Sequence, residues 1–241
     1  MRIAMWSGPR NLSTAMMYAF AARGDCAVWD EPFYAAYLAA TDLDHPMRDE
    51  IIASGETDAE AVATRCEAEL AGDKRLFYQK HMTQHMVAGF PLEWMTQCTN
   101  VFLIRHPARV IASYAVKRDE LTEADLGFQR QLDLFETAAV LGGSTPTVLD
   151  STDLRDNPAG MLRQLCDAIG IDYTDAMLRW PSGGHRDDGA WAPHWYGAVH
   201  ASTGFAGAEG PLPEVAPHHR EILDQALPIY EKLRQAALPP K

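Results

Sequence analysis

Short continuous runs of apolar residues, separated by stretches long enough for a helix, make up the hydrophobic pattern of this chain. The runs lie at residues 3–6, 27–29, 76–78, 101–104 and 147–149. Runs of this length without polar alternation are typical of strands that are buried on both faces of a parallel sheet. Their alternation with helical patterns predicts a three-layer α/β/α fold with a mostly parallel central sheet.

Polar residues predict where several of the helices begin and end. Residues 57–60 and 122–125 have the spacing of a capping box, in which a hydroxyl pairs with an acid three residues later. Asn157 followed by Pro158 begins a further helix, because the missing N–H of a proline costs nothing in the first turn. Gly170 is expected to end that helix.

No linker-like composition divides the 241 residues, so we predict a single domain over residues 1–241. Residues from about 181 to 213 are rich in glycine and aromatic side chains. This composition predicts a long irregular segment, which either covers a ligand as a lid or packs on the edge of the sheet. A last helix is expected at about 214–238, with Pro228 inside it.

The first apolar run is followed by a turn suited to binding phosphate. Residues 7–14 read SGPRNLST and lead into a helical pattern, so the first N–H groups of the helix and the positive end of its dipole face any anion above the turn. The alternative is an ordinary turn with an asparagine cap. A Walker A motif is excluded, because no Gly-Lys-Ser/Thr stands at the required spacing. The candidate binding residues are Arg10, Asn11, Leu12, Ser13 and Thr14.

A second phosphate-binding position is predicted at the end of the fourth apolar run. Arg105 closes this strand, and a helix that begins near Pro107 carries Ser113 two turns later. Arg109 and Arg118 follow nearby, where an arginine is usually solvated. Ligands of parallel α/β sheets bind at the carboxyl ends of the strands, where both positions fall. Two anion sites indicate a ligand with two separate phosphate groups.

These motifs resemble those of the P-loop sulfotransferases that use 3′-phosphoadenosine 5′-phosphosulfate, in particular their bacterial branch. Residues 9–14 follow the family's first motif, Pro-Lys/Arg-Ser-Gly-Ser/Thr-Thr, except that Leu12 stands where the family usually has glycine. A leucine would be strained there if the position needs a positive φ. Arg105 and Ser113 match the residues that hold the nucleotide 3′-phosphate in the family. Residues 153–171 are similar to its Glu-Asp-Leu, Asp-Pro, Leu-Arg-Arg-Leu-Cys and Leu-Gly-Leu segment.

The resemblance implies a P-loop-type fold and transfer of a sulfuryl group to a hydroxyl or amine of a small soluble acceptor, with no metal required. By the same resemblance, the loop at residues 10–14 would hold the 5′-phosphosulfate. Family members bring a basic, glycine-containing C-terminal loop over the 3′-phosphate. Arg186, which lies in the glycine-rich segment, is therefore a further candidate for nucleotide binding.

Glu31 is the first candidate for a catalytic base. It follows the second apolar run in the sequence DEPF, and a Glu-Pro-Phe at this place supplies the base in the bacterial and glycan-type branches of the resembled family. Chemically, a carboxylate at a strand end can accept the proton of an attacking hydroxyl. The alternative is an acid that forms a salt bridge or caps a helix.

Lys80 and His81 end the third apolar run and are further catalytic candidates. The cytosolic branch of the resembled family has a lysine and a histidine near this point, separated by one residue. Neighbouring residues of a strand face opposite sides, so only one of the pair is expected to enter the site. Lys80 would neutralise charge on the bridging oxygen of the transferred group, and His81 would be an alternative proton acceptor.

The composition and net charge limit the kinds of partner that we expect for this protein and indicate its location. A net charge of −12 with no block of Lys or Arg argues against binding of nucleic acid or another polyanion. No apolar run approaches the ~20 residues that a membrane helix needs, so we expect no membrane contact. A polar turn interrupts the apolar N-terminus, which argues against a secretion signal. The four cysteines are dispersed, so we expect reduced thiols and a cytoplasmic location.

Two other functions remain open from the sequence. A metal-dependent small-molecule kinase on the same scaffold would use ATP and magnesium, with an acidic ligand at Asp30 or Asp150. A non-catalytic protein that binds adenosine 3′,5′-bisphosphate or another phosphoanion would need no base. An aminotransferase is disfavoured, because none of the five lysines has a recognisable pyridoxal-phosphate setting. The acceptor stays unspecified, and a homo-oligomer is compatible with the composition.

Overall fold

The structure, a computed structural model, describes residues 1–69, 72–116 and 120–241. Its strands are β1 (Arg2–Ser7), β2 (Cys26–Asp30), β3 (Leu76–Met82), β4 (Thr99–Ile104) and β5 (Thr147–Asp150). Its helices are α1 (Ser13–Ala21), α2 (Tyr34–Thr41), α3 (Arg48–Ser54), α4 (Ala59–Glu67), α5 (Pro107–Ala115), α6 (Glu123–Leu126), α7 (Phe128–Gly142), α8 (Ser151–Asp156), α9 (Pro158–Ile169), α10 (Ala192–Trp195), α11 (Gly197–His200) and α12 (Arg220–Arg234). Short 3₁₀ turns lie at Thr83–His85, Glu93–Gln97, Asp175–Leu178 and Pro217–His219.

The five strands form one parallel sheet in the order β2-β3-β1-β4-β5. Each of the five predicted runs lies within one of these strands, so the predicted α/β fold is confirmed. From β1 the chain runs to β2 and β3 on one side, and it then crosses β1 to reach β4 and β5 on the other side. The strand order therefore reverses at β1. Ligands of open α/β sheets bind outside the carboxyl ends of the strands at such a point.

The sheet is buried on both faces, as the continuous apolar runs predict. In β1, Ile3 and Met5 face a cluster formed with α1 and α9. Ala4 and Trp6 face the opposite cluster, to which α7 contributes. Successive side chains of a strand point to opposite sides, so an unbroken apolar run supplies both cores at once. The sheet is therefore held rigidly between two helical layers, with its polar strand ends left for ligands.

Three of the predicted helix starts illustrate how local sequence sets local structure. Thr122 forms the predicted capping box at the start of α6. Asn157 caps α9 by accepting a hydrogen bond from Gly160 N–H at 3.0 Å, and proline follows it as expected. At residues 57–60 the cap is Asp58 rather than the hydroxyl before it, because the Asp58 carboxylate accepts the N–H of the second helical residue.

The last third of the chain contains more helix than its composition indicates. Within the segment predicted to be irregular, α10 and α11 form two short helical turns. The last helix begins at Arg220 rather than near residue 214, since a 3₁₀ turn that starts at Pro217 precedes it, and it contains Pro228. Among the described residues, no helix is both long and apolar enough to cross a membrane.

Candidate active site

The turn after β1 forms a loop that is arranged to bind an anion. Arg10 and Leu12 both adopt left-handed backbone conformations, with φ of 63° and 65°. The first hydrogen bond that leads into α1 joins Met16 N–H to the carbonyl oxygen of Leu12 over 3.0 Å. The N–H groups of residues 12–15 come before this bond and have no partner within the helix. Unpaired N–H groups of this kind bind phosphate at helix N-termini.

Asn11 holds this loop against the neighbouring strand and does not cap α1. Its buried side chain donates from Nδ2 to the carbonyl oxygen of Leu103, 3.2 Å away on β4. On the other side of the loop, a Cβ at Gly8 would lie 2.7 Å from the carbonyl oxygen of Leu126. A glycine is therefore required at position 8, and the loop is held in place on two sides.

Leu12 occupies the left-handed position at which the resembled family has glycine. A left-handed backbone costs a residue with a Cβ about 1–2 kcal/mol. We therefore expect Leu12→Gly to be more stable than Leu12→Ala by about 1 kcal/mol, the reverse of the order in an ordinary helix. Urea unfolding of the two variants measures this difference.

Ala15 provides the matched control for this prediction, since it lies in the first turn of α1. Ala15→Gly should lower the free energy of unfolding by about 0.5–1 kcal/mol, as expected for an ordinary helical residue. If glycine were less stable than alanine at both positions, Leu12 would carry no backbone strain.

Arg10, Arg105 and Ser113 lie together beside the loop, so the two phosphate-binding positions predicted from the sequence adjoin each other. Arg10 Nε donates to Ser113 Oγ at 2.9 Å, which joins the loop to α5. Arg105 Nη1 donates to the carbonyl oxygen of Arg10 at 2.5 Å. Burial and the positive charge of Arg105 lower the pKa of Arg10. The cations therefore repel each other in a partly buried site, which favours an anion there.

Three arginines converge on the carboxylate of Glu209. Arg105 pairs with Glu209 Oε1, Arg155 Nη1 lies 2.8 Å from the same oxygen, and Arg109 Nε lies 3.3 Å from Oε2. The side chain of Glu209 is only 5% exposed. Burial alone would raise its pKa, but the three guanidinium groups outweigh burial and hold the pKa below its ordinary value. Arg118, also considered from the sequence, lies outside the described residues.

Lys80 is the centre of a buried polar cluster at the ends of β2 and β3. Its ammonium donates to Asp30 Oδ1 at 2.8 Å, Glu31 Oε1 at 2.6 Å and Tyr196 Oη at 2.5 Å. Burial alone would lower the pKa of Lys80, but the two carboxylates outweigh burial and raise it. Lys80 is therefore a cation whose three N–H groups all have partners within the cluster.

Tyr196 closes this cluster from the segment that joins α10 to α11. Its hydroxyl accepts a hydrogen bond from Trp191 Nε1 at 2.8 Å and donates toward Asp30 Oδ2, also at 2.8 Å. Burial and the charges of Asp30 and Glu31 raise the pKa of Tyr196 well above its ordinary value. The hydroxyl therefore keeps its proton and fixes the carboxylates in place.

Glu31 has a strained backbone and two differently placed carboxylate oxygens. Its φ is 40°, a conformation rare outside glycine that is often found in functional sites. Lys80 binds Oε1, whereas Oε2 lies 3.8 Å from His85 Nδ1. Burial, His45 and Lys80 lower the pKa of His85 well below its ordinary value, so its imidazole is neutral. Oε2 is therefore the oxygen of Glu31 to which none of the described residues brings a cation.

Aromatic and imidazole rings form the wall beside Glu31. The rings of Tyr34 and His85 stack with their centroids 4.2 Å apart, and Tyr34 Oη lies 2.5 Å from His45 Nδ1. Trp195 stacks on Tyr114 at 6.4 Å. This wall is largely aromatic; Tyr34 Oη and His45 Nδ1 pair with each other, whereas the buried His85 Nδ1 has no hydrogen-bond partner in the described part of the chain.

A cavity of about 450 Å³ joins the loop, the cluster around Lys80 and the aromatic wall. The loop at residues 9–15 forms one wall, Arg105, Ser113 and Arg155 lie beside it, and Glu31 and Lys80 with the aromatic rings form the opposite side. Cavities of this size are typical of small-molecule sites. The structure thus places a phosphate-binding loop, a set of arginines and a carboxylate around one space.

Two of the residues singled out in the sequence lie away from this cavity. His81 is buried on the other face of β3, where its ring stacks on Trp6 at 4.6 Å and burial lowers its pKa to about 3. Arg186 has an 83% exposed side chain, and its Nε lies 3.6 Å from Asp187. Of the adjacent pair at the end of β3, Lys80 faces the cavity and His81 does not, because neighbouring strand residues point to opposite sides.

The two acids considered as magnesium ligands for a kinase both accept hydrogen bonds from protein donors. Asp30 belongs to the Lys80 cluster. Asp150 caps α8 by accepting from Thr152 N–H at 2.7 Å, and it accepts from Tyr230 Oη at 2.7 Å. Within the part of the chain that the structure describes, no three or more His, Cys, Asp or Glu side chains form a group that could hold a metal ion.

Three residues of the site were not singled out in the sequence. Arg155 lies in α8, the short helix that directly follows β5. Its position soon after a strand could have identified it as a candidate. Tyr196 lies in a stretch whose aromatic content indicates an ordered segment. Glu209 is an isolated acid among glycines and prolines, and nothing near it in the sequence indicates its position.

The fold and the cavity define an α/β protein with an anion-binding loop at the reversal point of a parallel sheet. The chain belongs to the sulfotransferase domain family, whose profile, described as "Sulfotransferase domain", matches residues 1–237. The structure is similar to the sulfotransferase domain of the Synechococcus PCC 7002 olefin synthase, with a TM-score of 0.51 over 93% of this chain and 94% of that one. At 18% identity, this likeness concerns the fold.

Two relatives from Arabidopsis thaliana are more similar in sequence. They are the branched-chain-amino-acid aminotransferase-like proteins 2 and 1, which are 36% and 37% identical to this chain over 233 residues. The match covers 96% of this chain but only 41% of each relative. Their names therefore describe proteins of which this chain spans less than half.

Proposed function

We propose that this protein transfers the sulfuryl group of 3′-phosphoadenosine 5′-phosphosulfate to a hydroxyl or amine of a small acceptor. Membership of the sulfotransferase domain family supports this class of reaction. The observation that carries the assignment of residues is that the phosphate-binding loop, Arg105 and Glu31 line the same cavity.

The arginine side of the cavity fits the donor nucleotide. In this proposal the loop at residues 10–14 holds the 5′-phosphosulfate, and Arg105 with Ser113 holds the 3′-phosphate. Buried polar atoms nearly always have partners, yet Asn11 Oδ1 and Arg105 Nε have none among the described residues. When bound, the donor supplies an activated sulfuryl group and leaves as adenosine 3′,5′-bisphosphate.

Glu31 is the proposed base on the opposite side of the cavity. Its Oε2 accepts the proton that the acceptor loses as the acceptor oxygen or nitrogen forms its new bond to sulfur. Its Oε1 stays bound to Lys80 at 2.6 Å, which fixes the carboxylate for this task. General-base catalysis of this kind contributes on the order of 10²–10⁴ in rate.

Lys80 has a different role from the one that the sequence indicates. Its three N–H groups are directed to Asp30, Glu31 and Tyr196, so we assign it to positioning Glu31 rather than to contact with the transferred group. The loop amides and the arginines then supply the electrostatic stabilisation, as fixed donors in a partly closed site do for transferred anionic groups.

The aromatic wall supports an acceptor with an apolar body and a single reactive polar group. Tyr34, His85 and Trp195 offer ring faces beside Glu31. None of the three is charged, since Tyr34 Oη pairs with His45 and the imidazole of His85 is neutral. An acceptor with a second charged group would find no opposite charge on this wall.

Calorimetric titration with adenosine 3′,5′-bisphosphate tests the nucleotide site. We expect micromolar binding, and we expect Arg105→Ala to weaken it by about 10- to 100-fold, because a hydrogen bond to a charged group contributes about 1.5–3 kcal/mol. Arg186→Ala is the matched control, since this arginine is 83% exposed and lies away from the cavity, and it should leave the affinity unchanged.

ATP with magnesium is titrated in parallel to separate the proposal from its main alternative. A sulfotransferase with this site binds the bisphosphate and not ATP. Binding of ATP alone would contradict the proposal and favour the metal-dependent kinase. Bisphosphate binding that is the same in wild type and Arg105→Ala would move the 3′-phosphate away from Arg105.

A further inference from the structure

Glu209 lies where the proposed function requires a phosphate. Its carboxylate is surrounded by Arg105, Arg109 and Arg155 and is almost fully buried. We propose that Glu209 is a built-in occupant of the 3′-phosphate site, and that the segment at residues 206–210, here called the strap, must leave these arginines when the nucleotide binds. The identity of the incoming phosphate rests on the proposed function.

The charges of this site favour a phosphate over the carboxylate. Within the part of the chain that the structure describes, the salt bridges of these three guanidinium groups all go to Glu209, so three positive charges share one negative charge. Arg105 Nε is buried without a hydrogen-bond partner among the described residues. A phosphate monoester carries about two negative charges and three acceptor oxygens, and guanidinium groups bind it in a bidentate manner. The carboxylate fills the site only in part and can be replaced.

The strap is held by the same arginines that would bind the phosphate. Arg155 Nε donates to the carbonyl oxygen of Gly207 at 2.9 Å, and Arg109 Nη2 donates to that of Gly210. Among the described residues, the hydrogen bonds that reach residues 206–210 all come from these two arginines and Arg105. A ligand that engages the three arginines therefore releases the whole strap.

The chain just before the strap is anchored independently and can act as its pivot. Gly204 forms an antiparallel bridge with Arg179, and the ring of Phe205 packs edge-on against Trp180 with centroids 5.2 Å apart. Gly204 has no room for a side chain, because a Cβ there would lie 2.8 Å from the carbonyl oxygen of Leu178. Ala206, the first residue of the strap, lines the cavity, so the strap begins at the nucleotide site.

An internal occupant lowers the apparent affinity for the ligand, because only the molecules in which the site is free can bind. The apparent affinity is the intrinsic affinity multiplied by that free fraction. Glu209→Gln keeps the shape of the side chain and removes its charge. We expect this variant to bind adenosine 3′,5′-bisphosphate about 10-fold more tightly in calorimetric titration. Adenosine 5′-monophosphate, which lacks the 3′-phosphate, should bind with the same affinity to both proteins. Glu214→Gln, an exposed acid nearby, is the charge-matched control and should change neither value.

Unchanged or weaker bisphosphate binding by Glu209→Gln would overturn the proposal. If neither protein binds the bisphosphate, the proposed function fails, and inorganic phosphate then tests the occupant alone. Tighter binding of inorganic phosphate by Glu209→Gln than by wild type would support the occupant, and equal binding would overturn it.

A measurement on the wild-type protein removes any dependence on the folding of the variant. A glutamate-specific protease cleaves after Glu209 only when this side chain leaves its arginines. We expect the bisphosphate to accelerate cleavage at this bond several-fold, with adenosine 5′-monophosphate as the control ligand. Slower cleavage with the bisphosphate would show that the strap stays closed over the nucleotide and would overturn the proposal.

Discussion

Glu31→Gln is expected to lower the rate of sulfuryl transfer by about 10²–10⁴-fold while the affinity for adenosine 3′,5′-bisphosphate stays the same. Glutamine has the same size and its amide oxygen can still accept from Lys80, but it cannot take a proton from the acceptor. Single-turnover transfer of labelled sulfate from the donor, to acceptors found by screening phenols, alcohols and amines, measures the rate.

The substitution should leave the fold intact, because Asp30 and Tyr196 remain as partners of Lys80. Glu93→Gln is the matched control, since it removes an exposed acid and should retain the full rate. Full activity of Glu31→Gln would assign the proton to another group. Loss of bisphosphate binding together with transfer would show that the substitution disturbs the whole site. A wild-type protein that binds the bisphosphate and transfers to no acceptor would favour the non-catalytic binder.

Features set by neighbouring residues could be predicted from the sequence. The five strands could be predicted from continuous apolar runs, because both faces of each strand are buried and successive positions are therefore apolar. The phosphate loop follows from a polar turn between a strand and a helix. The carboxyl ends of parallel strands lie at the same edge of the sheet, so the sequence places Arg10 and Arg105 at one edge. The structure brings them into contact there.

Features set by distant residues could not be predicted. Lys80 and Tyr196 are 116 positions apart, and Arg105 and Glu209 are 104 apart. No local pattern relates residues at such separations, and the segment that brings Tyr196 and Glu209 to the site is irregular in composition. The family resemblance therefore implied a basic loop over the phosphate site, with Arg186, whereas the structure brings an acidic residue, Glu209, to Arg105.

The position of the adjacent residues Lys80 and His81 at the end of β3 could be predicted only in part. Strand geometry predicts that only one of Lys80 and His81 enters the site, but not which one. The choice depends on the surroundings of each face: aromatic rings such as Trp6 pack on His81, whereas Asp30 and Glu31 surround Lys80. A buried cation needs an opposite charge beside it, and Asp30 and Glu31 supply that charge. Packing and charge together therefore place Lys80, and not His81, in the site.

Lys80→Met is expected to destabilise the protein by about 3–5 kcal/mol, because it leaves Asp30 and Glu31 buried together without a cation. For a chain of this size, each kcal/mol lowers the melting temperature by about 2–4 °C, so the loss is about 6–20 °C. Thermal and urea unfolding of the variant at neutral pH measure it. The exposed Lys232, which pairs with Glu136 at the surface, supplies the control, since Lys232→Met should cost at most about 1 kcal/mol.

Two further measurements separate the charge of Lys80 from its packing. Adding Asp30→Asn and Glu31→Gln to Lys80→Met should restore much of the lost stability, since neutral buried groups need no counter-ion. The raised pKa of Lys80 means that its stabilisation is complete below its ordinary value of 10.5 and is lost as the pH rises through the folded value. Wild type should therefore lose stability above about pH 10.5, and Lys80→Met should lack this part of the loss. A Lys80→Met variant as stable as wild type at neutral pH would mean that water reaches the carboxylates, and Lys80 would then have no part in holding Glu31.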